Sequence, residues 1–213
     1  LVIVPANAVA EEPLTCPHGQ ITMAAPPALA SKLCTTAKRA IEEMASCGLE
    51  LNRPIHVTVT PDLPDDCHGL YYCGKDHIEL LPEELLQQKQ SEIELFRNLT
   101  PSVYYHSVFV HELAHAAYDT VECPFGSICT ATSEYLAYAL QIKFLSDEDR
   151  ASMGLAKVPE KQIDHGEINA IYAAFAPDRF AVKAWAHLMQ RPDPCGYVSD
   201  LAAGNLFFDF EHP

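Results

Sequence analysis

Hydrophobic positions recur along this chain with two different periods, and the change of period divides it into two parts. Between residues 28 and 46 apolar side chains return every three or four positions, at Leu29, Leu33, Ala37, Ala40, Ile41 and Met44. That spacing predicts an amphipathic helix, with Gly48 as its stop. Ile55-His56-Val57-Thr58-Val59 then alternates apolar and polar, as a half-buried strand does, and Pro61 and Pro64 end it. Tyr71-Tyr72-Cys73 and the run 77–81 predict two more short strands joined by a Gly74-Lys75-Asp76 turn. Past residue 82 the helical period returns and predicts helices over 83–96, 101–118, 133–145, 161–175 and 178–189, with Ser146-Asp147-Glu148-Asp149 as a further helix start. Residues 11–27 are Pro-rich and predict irregular chain tied down by Cys16. The fold class is therefore α+β: a small, mostly antiparallel sheet followed by a helical half, forming a single domain over residues 11–213.

The most informative segment lies inside the predicted helix 101–118, which opens on the cap-capable Thr100 and on Pro101, a residue suited to a first turn. Here stands His111-Glu112-Leu113-Ala114-His115, an HExxH pattern. A spacing of four puts both imidazoles on one helical face, about one turn apart, where they can share a metal ion. Glu112 lies beside them and can polarise a metal-bound water without being a ligand. The competing reading is a buried helix whose histidines only satisfy hydrogen bonds.

A catalytic zinc takes a third protein ligand and keeps its fourth position for water. Asp119 continues the same face, but a straight helix separates it from His111 by roughly 12 Å, too far to share one ion. Glu134 is the strongest candidate. It follows a loop carrying Pro124 and Gly126 between Cys123 and Cys129, and falls in the first turns of the next helix, which can return beside the histidines. Glu122 is the fallback ligand, and an acid favoured by the dipole of a helix N-terminus is the plain alternative for Glu134.

With these two motifs the stretch from about 55 to 145 resembles the gluzincin metallopeptidases, the thermolysin-like branch of the zincins. The resemblance implies a zincin-like fold in which His111, His115 and Glu134 bind zinc. Glu112 would be the general base that activates water and passes the proton to the leaving amine. By the same resemblance the 78–81 strand would be the sheet edge that holds an extended peptide, and His165 would be the first place to look for an oxyanion donor. The thermolysin pattern carries an Asp four residues after the ligand glutamate; this chain has Tyr138 there, which leaves the support of the zinc histidines unassigned. Tyr118, Tyr135, Tyr138, Tyr172 and His187 complete the possible donors, though tyrosines at helical spacing more often belong to a core.

Composition adds location and partners. A net charge of −15, with 14 basic residues, argues against a nucleic-acid surface and against attraction to anionic lipid. Eight cysteines without any CxxC pair predict four disulfides in an exported protein. Cys67 with Cys73 and Cys123 with Cys129 are the expected local pairs. Cys34 and Cys47, separated by roughly 20 Å on one helix, must pair with Cys16 and Cys195 in some order. Residues 1–10 are apolar and end in Ala8-Val9-Ala10, which predicts the remnant of a signal peptide. No apolar run is long enough to span a membrane. The expectation is a secreted or periplasmic monomer that uses Zn2+ to hydrolyse a peptide or protein substrate. The rivals are a non-catalytic zinc-binding or interaction protein and a disulfide-rich structural protein with a coincidental HExxH.

Overall fold

The computed structural model describes residues 13–64, 67–125 and 129–209. The expected signal-peptide remnant, residues 1–10, lies outside them. The described part is α+β, with strands β1 (Leu14–Thr15), β2 (Ile21–Ala24), β3 (Ile55–Val59), β4 (Gly69–Tyr72) and β5 (His77–Leu80) in one sheet of order β1-β2-β3-β5-β4.

This sheet is mixed, which corrects the expectation of a mostly antiparallel one. β2 runs parallel to β3 and β3 parallel to β5, while β1–β2 and β4–β5 are antiparallel. Half of the difference originates in β2, which lies in the stretch expected to be irregular, and half in the direct pairing of β3 with β5. The alternation in β2 of buried Ile21 and Met23 with more exposed Thr22 and Ala24 is a short period-two signal set among prolines. The edge is corrected as well. β5 pairs directly with β3, so the intervening β4, antiparallel to β5, stands on the outer side of β5. The edge strands are therefore β1 and β4, and β5, which carries most of the 78–81 segment, is interior.

Helix α1 (Pro27–Ser46) packs its Ala30, Leu33, Ala37 and Ala40 face toward β2 and the central helix α3 (Pro101–Tyr118). α3 has the predicted bounds. Thr100 caps it by accepting from the Val103 amide at 3.4 Å, and Pro101 fills its first turn. Packed by α1, by α2 (Glu83–Gln90), by α4 (Thr130–Phe144) and by β4, it is buried on most of its surface.

α2 ends earlier than its periodicity suggests, because the Gln90 side-chain amide donates to the carbonyls of Phe96 and Leu99, both at 2.9 Å, and holds the chain in a turn. After α5 (Asp147–Ser152), the helix expected over 161–175 shrinks to a 3-10 turn, His165–Glu167, and α6 (Ala170–Phe175). Asn169 between them caps α6 through the Tyr172 amide, which is the chemistry of a helix start and not of an interior. α7 (Pro177–Met189) follows as expected; α8 (Pro194–Ala202), capped by Asp193, was not foreseen.

Three disulfides are formed: Cys16–Cys34, Cys47–Cys195 and Cys123–Cys129. The first two resolve the open pairing of Cys34 and Cys47, and the third is the expected local bond. The expected Cys67–Cys73 bond is not among them. No helix among the described residues is long and apolar enough to cross a membrane.

Candidate metal centre

One turn of α3 brings Nε2 of His111 and Nε2 of His115 to 3.0 Å from each other. α4 lies antiparallel against α3 beyond the Cys123–Cys129 turn and delivers Glu134 to the same point. Its Oε2 is 3.7 Å from His111 Nε2 and its Oε1 3.7 Å from His115 Nε2. Donor atoms of all three residues fall within 4.8 Å of one another, so this cluster can hold a metal ion. It is the one such group among the described residues. The fallback Glu122 is exposed and lies outside it.

The far side of each ring is held. Nδ1 of His111 lies 3.1 Å from Oε1 of Gln141, and Nδ1 of His115 lies 2.7 Å from Oγ of Ser133. Burial, then the neighbouring His115, pushes His111 well below the ordinary histidine range, and burial lowers His115 too. Both rings are thus neutral near pH 7, the form in which nitrogen lone pairs bind metals.

Glu112 points the other way round the helix, under the edge strand. It is only 6% exposed and its Oε2 accepts the Tyr71 amide at 2.8 Å. Gly69 makes room for it, since a Cβ there would stand 2.8 Å from Glu112 Cγ. Burial and then Glu134 push the Glu112 carboxyl up to about 8, against the Tyr71 amide, which lowers it. A carboxyl poised there is suited to exchanging protons near neutral pH.

All four residues line one cleft with a volume of about 810 Å³. β4 supplies one wall, the 92–96 turn and the start of α7 the other, and Arg179 stands on the rim. Of the foreseen oxyanion donors only Tyr138 lines it, with its ring edge-on to His111 at 4.5 Å. His165 stacks on Phe208 at 4.5 Å and is not part of the lining. His187 and Tyr135 are core residues bonded to each other at 2.9 Å, and Tyr172 sits under Lys183. The sequence reading missed His68 and Tyr104, which meet at 3.2 Å on the cleft wall, and the partners Gln141 and Ser133. Gln141 carried a usable signal: seven residues after Glu134, it shares that residue's helical face.

Asp119, too far along α3 to be a ligand, has a different task. Its Oδ2 accepts from Tyr71 Oη at 2.8 Å, from the Gly74 amide at 3.0 Å and from Arg53 at 3.3 Å. Arg53 also donates to the Ala116 carbonyl at 2.7 Å and to Asp76. This clamp fastens the β4–β5 hairpin to the end of α3.

An α+β domain with a His-His-Glu cluster at the floor of a cleft defines a protein able to hold a metal ion. The chain belongs to a family of unknown function, DUF6639, whose profile matches residues 21–211. No curated protein and no solved structure matches it.

Proposed function

We propose that this protein is a zinc-dependent peptide hydrolase of the zincin type, acting outside the cytoplasm. The observation that carries this reading is the placing of a buried, raised-pKa Glu112 beside the His111, His115 and Glu134 cluster in a cleft walled by an edge strand. Two imidazoles and one carboxylate are a ligand set used by catalytic zinc, and tetrahedral bonds near 2.0–2.1 Å imply ligand separations of about 3.3 Å. The histidine nitrogens stand 3.0 Å apart and each lies 3.7 Å from one of the two Glu134 oxygens, close to that value, so the residues fit the ion.

When bound, zinc would polarise a carbonyl and lower the pKa of a water molecule. Glu112 would accept the proton of that water and return it to the leaving amine. The Tyr71 amide orients its carboxylate toward that exchange. β4, paired on one side only, offers backbone groups to an extended peptide. The cleft volume, which leaves room for a substrate, counts against the non-catalytic alternative. Three disulfides support a secreted or periplasmic location. A fourth, Cys67–Cys73 across β4, belongs to the same reading, as does a monomeric state.

Zinc content and hydrolysis of a mixed peptide library test the proposal. The wild type should carry one zinc, Glu134→Ala should lose it, and Glu112→Gln should keep zinc without hydrolysing peptides. Equal activity in Glu112→Gln would overturn the mechanism, and absence of zinc in the wild type would overturn the metal assignment.

A further inference from the structure

The proton positions behind His111 can be deduced without seeing a hydrogen. Ser107 Oγ lies 2.8 Å from the Tyr104 carbonyl, which only accepts, so the single hydroxyl proton of Ser107 is committed there. Ser107 Oγ must then accept from Gln141, whose amide nitrogen stands 3.1 Å away. That assigns the amide, turning Gln141 Oε1 toward His111. An amide oxygen only accepts, so Nδ1 of His111 carries the proton and Nε2, the atom facing the cluster, carries the lone pair. Ser107 is 1% exposed and Gln141 3% exposed, so water does not compete for these bonds.

We propose that Gln141 is the positioning residue that locks His111 in its metal-binding tautomer, and that Ser133 leaves His115 free to switch. Ser133 has a hydroxyl that can donate or accept, 2.7 Å from His115 Nδ1. Without an ion, two lone pairs at 3.0 Å would repel, so His115 Nε2 carries its proton toward His111 and accepts at Nδ1 from Ser133. With an ion, the His115 proton sits on Nδ1 and Ser133 accepts it. The proton moves from one ring nitrogen to the other through solvent and the hydroxyl turns round, with no net gain or loss of protons. One histidine is thus preformed and the other adapts. Gln141 is neutral, where the thermolysin-like pattern uses a carboxylate for support, and Tyr138 packs its ring on His111 where that carboxylate would stand. A neutral partner leaves the imidazole a weaker base and the site a looser hold on its ion than a carboxylate would.

The metal part of this inference rests on the zinc reading above; the tautomer part does not. Nitrogen-15 spectra of the imidazoles in the metal-free, oxidised full chain should show His111 protonated on Nδ1, and the Nε2-protonated form would overturn the assignment. Zinc affinity by competition with a chromophoric chelator should fall about 10- to 100-fold in Gln141→Leu and hold or tighten in Gln141→Glu. Affinity equal to wild type in Gln141→Leu would overturn the positioning role. Ser107→Ala, which releases the amide without touching its contact to His111, should move the affinity in the same direction by less, and provides the reading if Gln141→Leu does not fold. A wild type that binds no zinc yet shows the Nδ1 tautomer would reject the zinc reading and leave the hydrogen-bond chain standing.

Discussion

The amide of Tyr71 and the carboxylate of Glu112 are joined by a 2.8 Å hydrogen bond, which ties the edge strand β4 to the residue between the two histidines. β4 therefore positions Glu112, while His111 and His115 are held from α4 through Gln141 and Ser133.

Gly69 is where that dependence can be tested most cleanly. A methyl group at this position meets Glu112 at under 3 Å, so Gly69→Ala should push the carboxylate out of place. Zinc content should stay at the wild-type level, and hydrolysis should fall by about 10²-fold, the usual effect of an ångström of misplacement. Zinc and activity lost together would show that the substitution reaches the cluster itself.

Asp119 should matter for stability without being a ligand. Asp119→Asn removes the charge that Arg53 and Tyr71 share and should lower unfolding stability by about 1–3 kcal/mol. Chemical denaturation measures this, and unchanged zinc affinity in the same variant separates the clamp from the metal site.

The start of α4 is capped from the far end of the chain. Asp209 accepts the Ala131 amide at 2.8 Å, the Thr132 amide at 3.0 Å and the Thr132 hydroxyl at 2.7 Å. Asp209→Ala should cost about 1–2 kcal/mol. Since Glu134 stands in the second turn of this helix, amide hydrogen exchange over 130–134 should also quicken; protection as slow as in the wild type would show that the cap is dispensable.

His187 predicts an acid sensitivity. Burial, helped by Arg191 and His165, holds its imidazole down to about 4 from an ordinary 6.5. The unfolded chain therefore binds this proton first. Stability from the neutral ring is complete above pH 6.5 and is lost as the pH falls toward 4, by up to about 3 kcal/mol. His187→Gln should flatten the stability profile between those pH values, and a profile parallel to wild type would remove His187 as its source.

Much of the site was legible because its signals are local. Thr100-Pro101, the HExxH spacing and the turn before Glu134 each act within a few residues, and α3 starts and ends where they place it. The fold was less legible where a distant partner decides. β2 is too short to declare itself among prolines until β3 pairs with it, and β4 becomes an edge only because β5 pairs directly with β3. α2 stops where a glutamine side chain replaces helical hydrogen bonds.

The sequence by itself set two histidines one turn apart and favoured Glu134 on the following helix over Glu122, because helical spacing and the turn before Glu134 are local signals. Tertiary structure alone decided what surrounds this cluster: Gln141 behind His111, Ser133 behind His115, the strand amide on Glu112 and a C-terminal aspartate capping α4. Helical periodicity is a short-range property that the chain carries in every conformation. Hydrogen bonds between residues 18 to 78 positions apart exist only after packing has removed water and brought those groups together.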